Sequence, residues 1–270
     1  MKAKTRAKTL RTMTDAPQTL DDIRRDIDEI DGKLLGLLAA RFAATARVKA
    51  AKGGALNGSP MRPAREATVL RRICEEDAAG VPLPLRAAIW RNIIASSTLA
   101  QAPVRIHVAA GLFNSAEARL MIRDHFGATP VVSHAGEDAA LMALGGSAAD
   151  ISVMAFGGTW AMPLAEGKAG RVAVSGVLPF INGGAAPTLA ILSHASAEPT
   201  GADETLLATN GQLPRDFAPA PLWQIQQGRL RLSCIPGFLD EHANPLLGLA
   251  RANGTLGLKV LGRYPSPIES

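Results

Sequence analysis

A long amphipathic segment near the N-terminus constrains the fold more than any other feature of the sequence. Between residues 19 and 51, apolar side chains recur at spacings of three and four, as expected for one face of an α-helix: Ile23, Ile27, Ile30, Leu34, Leu37, Leu38 and Val48. Thr19, followed by Asp22, predicts a helix N-cap with acid in the first turn. A helix of this length spans about 50 Å, which is too long for a lone helix in a small domain. We therefore predict that a partner chain covers the apolar stripe.

Two shorter helices are predicted to follow. One begins at Pro63, a favourable first helical residue, and ends near Gly80. The other begins at Pro84, and Pro103 lies just beyond its end. Their apolar stripes consist of Val69, Leu70 and Ile73 in the first, and Ile89, Trp90, Ile93 and Ile94 in the second. Residues 18–102 are therefore predicted to form an all-α, three-helix domain.

The pattern changes at Ala102–Pro103 to short apolar runs that alternate with helical segments. Strands are predicted over residues 104–110, 131–133, 151–156, 172–175 and 189–192, with helices over 115–126 and 138–144. Further strands are predicted over 229–234 and 257–261, in a β-rich terminal part. This alternation predicts an α/β domain over residues 103–270, so that the chain is multi-domain.

Composition excludes several classes of protein. The chain has 270 residues, is 47% hydrophobic, and has two cysteines, Cys74 and Cys234. This excludes general disorder, a disulfide scaffold and a cysteine-based zinc cluster, and it favours the cytoplasm. The five histidines lack metal-ligand spacing. The longest uncharged run, residues 172–193, contains prolines and glycines that favour strand and loop over a membrane span.

The first 17 residues are predicted to form a disordered basic tail. They contain Lys2, Lys4, Arg6, Lys8 and Arg11 and have no apolar core typical of a secretory signal. A transit peptide or a nucleic-acid-binding arm is the alternative interpretation. The formal net charge is only +5, which favours anionic ligands in general, and we do not expect a nucleic-acid partner.

Charged residues interrupt the first apolar stripe. Arg41 and Lys52 are separated by three helical turns, so they share a face and lie roughly 16 Å apart. Two such long side chains could converge on a small anion between them. Arg24 lies roughly 26 Å from Arg41 along the helix axis. An antiparallel copy of the helix could bring Arg24 to the same anion.

Polar residues also lie on the faces of the second and third helices. Glu66 precedes the stripe of the second helix with Arg65 beside it, and Ser97 and Gln101 continue the stripe of the third. Each residue alone is compatible with a surface pair or a partly solvated helix end. Together they place charge and hydrogen-bonding groups where a helical core should be apolar. Because buried charge is costly unless it is paired, an anionic ligand is the economical explanation.

Residues 20–101 resemble the all-helical chorismate mutases. The resemblance rests on these residues, in order: Leu20, Ile23-Arg24, Ile27, Ile30-Asp31, Leu34-Leu35, Leu37-Leu38, Arg41, Val48, Lys52, Pro60, Arg65-Glu66, Leu70, Ile93-Ile94, Ser97 and Gln101. It implies an intertwined homodimer of three-helix domains that converts chorismate to prephenate without a cofactor or metal.

The resemblance also implies roles for the residues. Arg24 of the partner subunit would bind the carboxylates of chorismate together with Arg41. Arg65 would lie at a second position of the site, and Ser97 near a carboxylate. Lys52 and Gln101 would donate to the ether oxygen, and Glu66 would hold the ring hydroxyl. Claisen rearrangement has no covalent intermediate, so it needs such cations and neutral donors but no nucleophile.

The sequence departs from the family pattern in two places. Arg62 stands where family members usually have an aspartate, and residues 53–59 are rich in glycine and small polar residues. A related helical fold acts as an isochorismate pyruvate lyase, which is one alternative activity. A non-catalytic, metabolite-binding regulator is another.

The second half resembles, more weakly, a prephenate dehydratase with a periplasmic-binding-protein-like fold. Matching segments are Gly111 with Ser115 and Ala118, then residues 149–153, 198–205 and 261–265, with an ACT-like part from about residue 198. The family's Thr-Arg-Phe motif is reduced to Thr188 in the segment 186–190. The resemblance therefore implies a degenerate, non-catalytic relative. A bifunctional mutase–dehydratase and an unrelated α/β domain are the alternatives.

Overall fold

The structure is a computed structural model that describes residues 18–51, 59–76 and 80–269. For residues 48–51 it describes the backbone only, so the side chain of Val48 is not included. The predicted basic tail, Lys52 and residues 53–58 of the glycine-rich loop lie outside the described residues.

The first helix, α1, extends over Leu20–Ala51, as predicted. Its start is fixed by a reciprocal cap. The backbone N–H of Asp22 donates to Thr19 Oγ1, and the backbone N–H of Thr19 donates to Asp22 Oδ2, each at 3.2 Å. The capping pair inferred from the sequence is therefore confirmed.

The next two helices are α2, Pro63–Glu75, and α3, Leu83–Leu99. Pro63 is the first residue of α2, as predicted, and α3 begins one residue before Pro84. The predicted end of α2 near Gly80 was wrong. Glu76 has an extended backbone (φ −61°, ψ 129°), and this ends the helix two residues after Ile73, the last residue of its buried face.

The remaining helices are short and the strands form a single sheet. The helices are α4 (Ala110–Asn114), α5 (Ala116–Phe126), α6 (Glu137–Ala143), α7 (Ala161–Ala165) and α8 (Leu246–Ala252). The strands are β1 (Ile106–Ala109), β2 (Val131–His134), β3 (Ile151–Ala155), β4 (Ala173–Leu178), β5 (Leu189–Ser193), β6 (Asp203–Thr209), β7 (Trp223–Gln227), β8 (Leu230–Pro236) and β9 (Lys259–Pro265).

The nine strands are ordered β2-β1-β3-β5-β4-β9-β6-β8-β7. β1 pairs in parallel with both β2 and β3, whereas β5 is antiparallel to β3. The predicted combination of a helical N-terminal part and an α/β part is confirmed. Gly111, one of the residues that carry the dehydratase resemblance, lies inside α4. Of the strands, β6 and β7 were not predicted.

The chain consists of two compact units, and the boundary between them lies within α1. One unit ends at Arg47, and the other begins at Val48 and contains α2, α3 and the sheet. Within this second unit, α2 packs against α3 and β9, and α3 packs against α5. The apolar contact between α2 and the sheet joins Ala67 and Leu70 to Phe180. Two of the three predicted helices therefore share a compact unit with the α/β part.

No helix in the described ranges is both long and apolar enough to cross a membrane. The uncharged run over residues 172–193 contains β4 and β5, in agreement with its interpretation as strand and loop.

Arg71 joins α2 to one end of the antiparallel β6–β9 pair, where β6 begins and β9 ends. Its Nη2 donates to the carbonyls of Ala202 and Ser266, each at 2.7 Å, and its Nη1 donates to Thr200 Oγ1 at 2.9 Å. We expect Arg71→Ala to lower the free energy of unfolding by about 2 kcal/mol, because two carbonyls lose a charged donor. Urea unfolding measures the change.

The neighbouring Arg72→Ala is the matched control for that experiment. Arg72 is exposed and has one ion pair of 3.8 Å with Glu76, so its loss should change stability by less than about 0.5 kcal/mol. Equal effects of the two variants would show that the contacts of Arg71 contribute nothing specific.

Candidate functional site

The apolar face of α1 is open to solvent in the single chain. Five residues at helical spacing are between 37% and 54% exposed: Ile23, Ile27, Ile30, Leu34 and Leu38. A continuous apolar stripe of this kind is characteristic of an interaction surface. Arg41 follows the stripe at the same helical spacing.

The two arginines predicted on α1 have different surroundings. Arg24 is exposed, and its Nη1 lies 3.3 Å from Asp21 Oδ1. Arg41 is partly buried, and this burial lowers the pKa of its guanidinium from the usual value. Their separation along α1 prevents both from binding one small ligand from the same chain.

On α2, Glu66 is turned inward and its neighbour is not. Arg65 is exposed, whereas Glu66 is partly buried. Glu66 Oε1 accepts a hydrogen bond from the backbone N–H of Arg62 at 3.2 Å, which holds the carboxylate at the N-terminus of the helix. Burial raises the pKa of the Glu66 carboxyl, and the backbone hydrogen bond partly offsets that effect.

On α3, the structure brings Ser97 and Gln101 together. Ser97 is buried and its Oγ donates to the carbonyl of Ile93 at 2.7 Å. Gln101 lies just after the helix, and its Nε2 donates to the carbonyl of Ser97 at 3.1 Å. The Gln101 amide has a second N–H, so it can donate to a ligand while it keeps this backbone bond.

Glu66 lines two small cavities together with Met61 and His125. One, of about 30 Å³, lies between α2 and the sheet and is also lined by Phe180. The other, of about 20 Å³, lies between α2 and α3 and is also lined by Thr98. Each volume is enough for a water molecule and far too small for a metabolite. These cavities lie beside the carboxylate and are not a substrate pocket.

His125, on α5, was not identified from the sequence. Its Nδ1 is buried and has no hydrogen-bond partner among the described residues. Its ring packs edge-on against Phe126 and Phe180, with centroids 4.6 and 6.1 Å away. Burial, with a contribution from the positive charge of Arg91, lowers the pKa of His125 to about 3, so the imidazole is neutral at physiological pH.

Arg62, which departs from the family pattern, contacts the segment between β5 and β6. Its Nη2 donates to both carboxylate oxygens of Glu198, at 2.6 and 2.8 Å. Both side chains are about half exposed, so the pair adds little stability. In this arrangement the Arg62 guanidinium is engaged with the α/β part.

A second titratable cluster lies on the sheet. His107 contacts Asp150 Oδ2 through Nε2 at 3.1 Å and His134 Nε2 through Nδ1 at 2.9 Å, and Asp150 also accepts from the backbone N–H of Arg105 at 2.9 Å. Both ring nitrogens of the buried His107 thus have partners. The cluster joins β1, β2 and the start of β3, which is a structural role.

Thr188, the remaining residue of the dehydratase-type motif, is exposed just before β5. Its Oγ1 donates to Met121 Sδ at 3.7 Å, a weak interaction. Among the described residues, no group of three or more histidine, cysteine, aspartate or glutamate side chains could hold a metal ion.

Comparison with known families identifies the helical part of the chain. Residues 23–102 match the family model of chorismate mutase type II. This segment is a chorismate mutase domain. The match contains all seven predicted site residues: Arg24, Arg41, Lys52, Arg65, Glu66, Ser97 and Gln101. The resemblance inferred from the sequence of the mutase domain is thereby confirmed, while the individual roles of these residues stay predictions.

No match to the chain is found among curated proteins. One similar solved structure is that of GqqA, described as a novel type of quorum quenching acylase. It is 14% identical, covers 61% of this chain and 95% of its own, and superposes with a TM-score of 0.39. A similarity at this level indicates neither a shared fold nor a shared activity for the part that follows the mutase domain.

Proposed function

We propose that the protein is a chorismate mutase that converts chorismate to prephenate in aromatic amino-acid biosynthesis in the cytoplasm. The observation that carries the proposal is the match of residues 23–102 to the mutase family. In this proposal, charged and amide side chains of the domain provide the groups that the reaction needs. No cofactor or metal takes part in the proposed mechanism.

The chemistry requires a compact substrate conformer and stabilisation of a polar transition state. Arg24 and Arg41 bind the two carboxylates and hold the reacting carbons close, which lowers the entropic part of the barrier. Lys52 and Gln101 donate to the ether oxygen, which gains negative charge as its bond to carbon breaks. Glu66 accepts from the ring hydroxyl, and Arg65 and Ser97 complete the site near the carboxylates.

In this proposal the active site is completed by a second copy of the chain. The exposed stripe on α1 supports this, because it offers a self-complementary apolar surface to an antiparallel α1. Such pairing brings Arg24 of one protomer to Arg41 of the other. The enzyme is therefore a homodimer with two shared sites.

We further propose that residues 103–270 form a dehydratase-like domain that has lost its own activity. The exposed Thr188, without the arginine and phenylalanine that normally follow it, supports this interpretation. The contacts that Arg62 and Arg71 of the mutase domain form with residues 198–202 and Ser266 support a structural or regulatory role. Prephenate, and not phenylpyruvate, is the expected product.

The pH dependence tests the role of Gln101. A neutral amide donates a hydrogen bond at any pH, so the wild-type kcat/KM is expected to be constant between about pH 6 and 8. In Gln101→Glu the carboxyl donates only when protonated, so activity should appear at acid pH and fall as the pH rises. Steady-state rates across this range decide the matter. A steep wild-type loss between pH 6 and 8 would contradict the assigned role.

A further inference from the structure

We propose that His125 is a positioning residue that holds the Glu66 carboxylate in place for catalysis. The proposal rests on the mutase function above and adds a residue from outside the mutase domain to its mechanism. In it, His125 Nδ1–H donates to the Glu66 carboxylate through one water molecule in the cavities that the two side chains share.

The His125 and Glu66 residues line the same two cavities. Both small cavities are lined by Glu66, His125 and Met61, and their other lining residues differ. One is bounded by the sheet and the other by α3. Their volumes, about 30 and 20 Å³, suit a single bridging water molecule.

His125 has an unused hydrogen-bonding group at this place. Its Nδ1 is buried without a partner among the described residues, a costly arrangement that a bridge to Glu66 would remove. The ring is fixed by its packing against Phe126 and Phe180. A rigid ring of this kind can orient a carboxylate without itself reaching the substrate.

The surrounding charges keep His125 a neutral donor. Arg91 of α3 is buried and pairs with Asp124 of α5 at 2.8 Å, and its positive charge disfavours protonation of the neighbouring His125. A neutral imidazole carries one N–H, which can donate to Glu66 through the water molecule. A hydrogen bond donated to the carboxylate favours its ionised form and so opposes the effect of burial, which raises the pKa of Glu66.

Holding the carboxylate matters because, among the described residues, Glu66 is otherwise held by the backbone hydrogen bond from Arg62 at 3.2 Å. A carboxylate misplaced by about 1 Å can lose a large part of its catalytic effect. His125 therefore acts on kcat through Glu66. The imidazole itself does not touch the substrate.

Two amide variants of the full-length protein test the proposal. His125→Asn keeps a polar group near the position of Nδ1, whereas His125→Gln moves it to the position of Nε2. We expect kcat for chorismate to fall about tenfold in His125→Gln with KM changed less than about twofold, and to stay within about threefold of wild type in His125→Asn.

The same substitution in the Glu66→Gln background shows whether His125 acts through Glu66. We expect His125→Gln to lower kcat less than about twofold when added to Glu66→Gln, because the carboxylate it positions is gone. His194→Gln is the control. The Nε2 of His194 contacts the Leu144 carbonyl at 3.0 Å and the residue lines neither cavity, so its kcat should not change.

These measurements distinguish a failure of the positioning role from a failure of the mutase function. Equal losses of kcat from His125→Gln in both backgrounds, or equal losses in the Asn and Gln variants, would overturn the positioning role while leaving the mutase function intact. Unchanged activity in His125→Gln would do the same. Wild-type protein that does not consume chorismate would instead refute the mutase function, and the catalytic role of His125 with it.

Discussion

Arg41→Ala is expected to lower kcat/KM for chorismate about a thousandfold while the protein remains folded. The guanidinium is proposed to bind a substrate carboxylate through paired hydrogen bonds, and a group that stabilises a polar transition state in a closed site is worth about 10²–10³ in rate. Arg41 is the partly buried arginine that follows the α1 stripe, and its burial already lowers its pKa. Steady-state kinetics measures the loss of kcat/KM, and circular dichroism shows whether the protein remains folded.

Arg47→Ala is the matched control for Arg41→Ala. Arg47 lies on the same helix, is exposed, and points away from the apolar stripe. Its removal should leave kcat/KM within about twofold of wild type, as usual for a surface substitution. An Arg41→Ala enzyme with near-normal kcat/KM would remove this residue from the mechanism.

Leu34→Asp is expected to convert the proposed dimer to monomers and to reduce activity by at least about a hundredfold. Leu34 is 54% exposed in the single chain, so the substitution should not disturb the fold of one protomer. In an antiparallel α1 pair it would bury a carboxylate in each of two symmetric positions, which is costly. Analytical ultracentrifugation measures the change of mass, and chorismate turnover the loss of the shared sites.

Ala39→Asp adds the same charge on the opposite face of α1, where Ala39 is exposed. It should leave both the mass and the activity unchanged. A mixture of Arg24→Ala and Arg41→Ala proteins provides an independent check, since hybrid dimers contain one intact site and should regain activity. A Leu34→Asp protein that remains a fully active dimer would show that α1 is not the interface.

The sequence was sufficient to predict the helical part because local signals and periodicity agree there. The Thr19–Asp22 cap and Pro63 mark helix starts by interactions between neighbours in sequence. By contrast, β6 begins with Asp203 and Glu204, which are untypical of a strand. Asp203 accepts from the backbone N–H of Thr200 in the preceding turn. Glu204 accepts from Cys234 Sγ on β8, a tertiary contact that no local pattern encodes.

The edge strand β7 was missed for a related reason. Its segment, Trp223–Gln227, alternates apolar and glutamine residues over only five positions. It forms the last strand of the sheet, where it pairs with β8. The candidate site shows the same contrast between local sequence signals and tertiary packing. The residue types on α1, α2 and α3 were predictable, whereas the position of His125 beside Glu66 results from packing of α5 against the helices, and a single histidine in a helix carries no sequence signal of it.

The proposed chorismate mutase activity is tested most directly by incubating the purified full-length protein with chorismate. The products are then separated by chromatography without acid treatment. We expect chorismate to be consumed with prephenate as the sole product. Phenylpyruvate would instead show that the α/β part is an active dehydratase. Chorismate bound in calorimetry but not consumed would contradict the enzymatic function and favour a metabolite-binding regulator, and pyruvate released from isochorismate would identify a lyase.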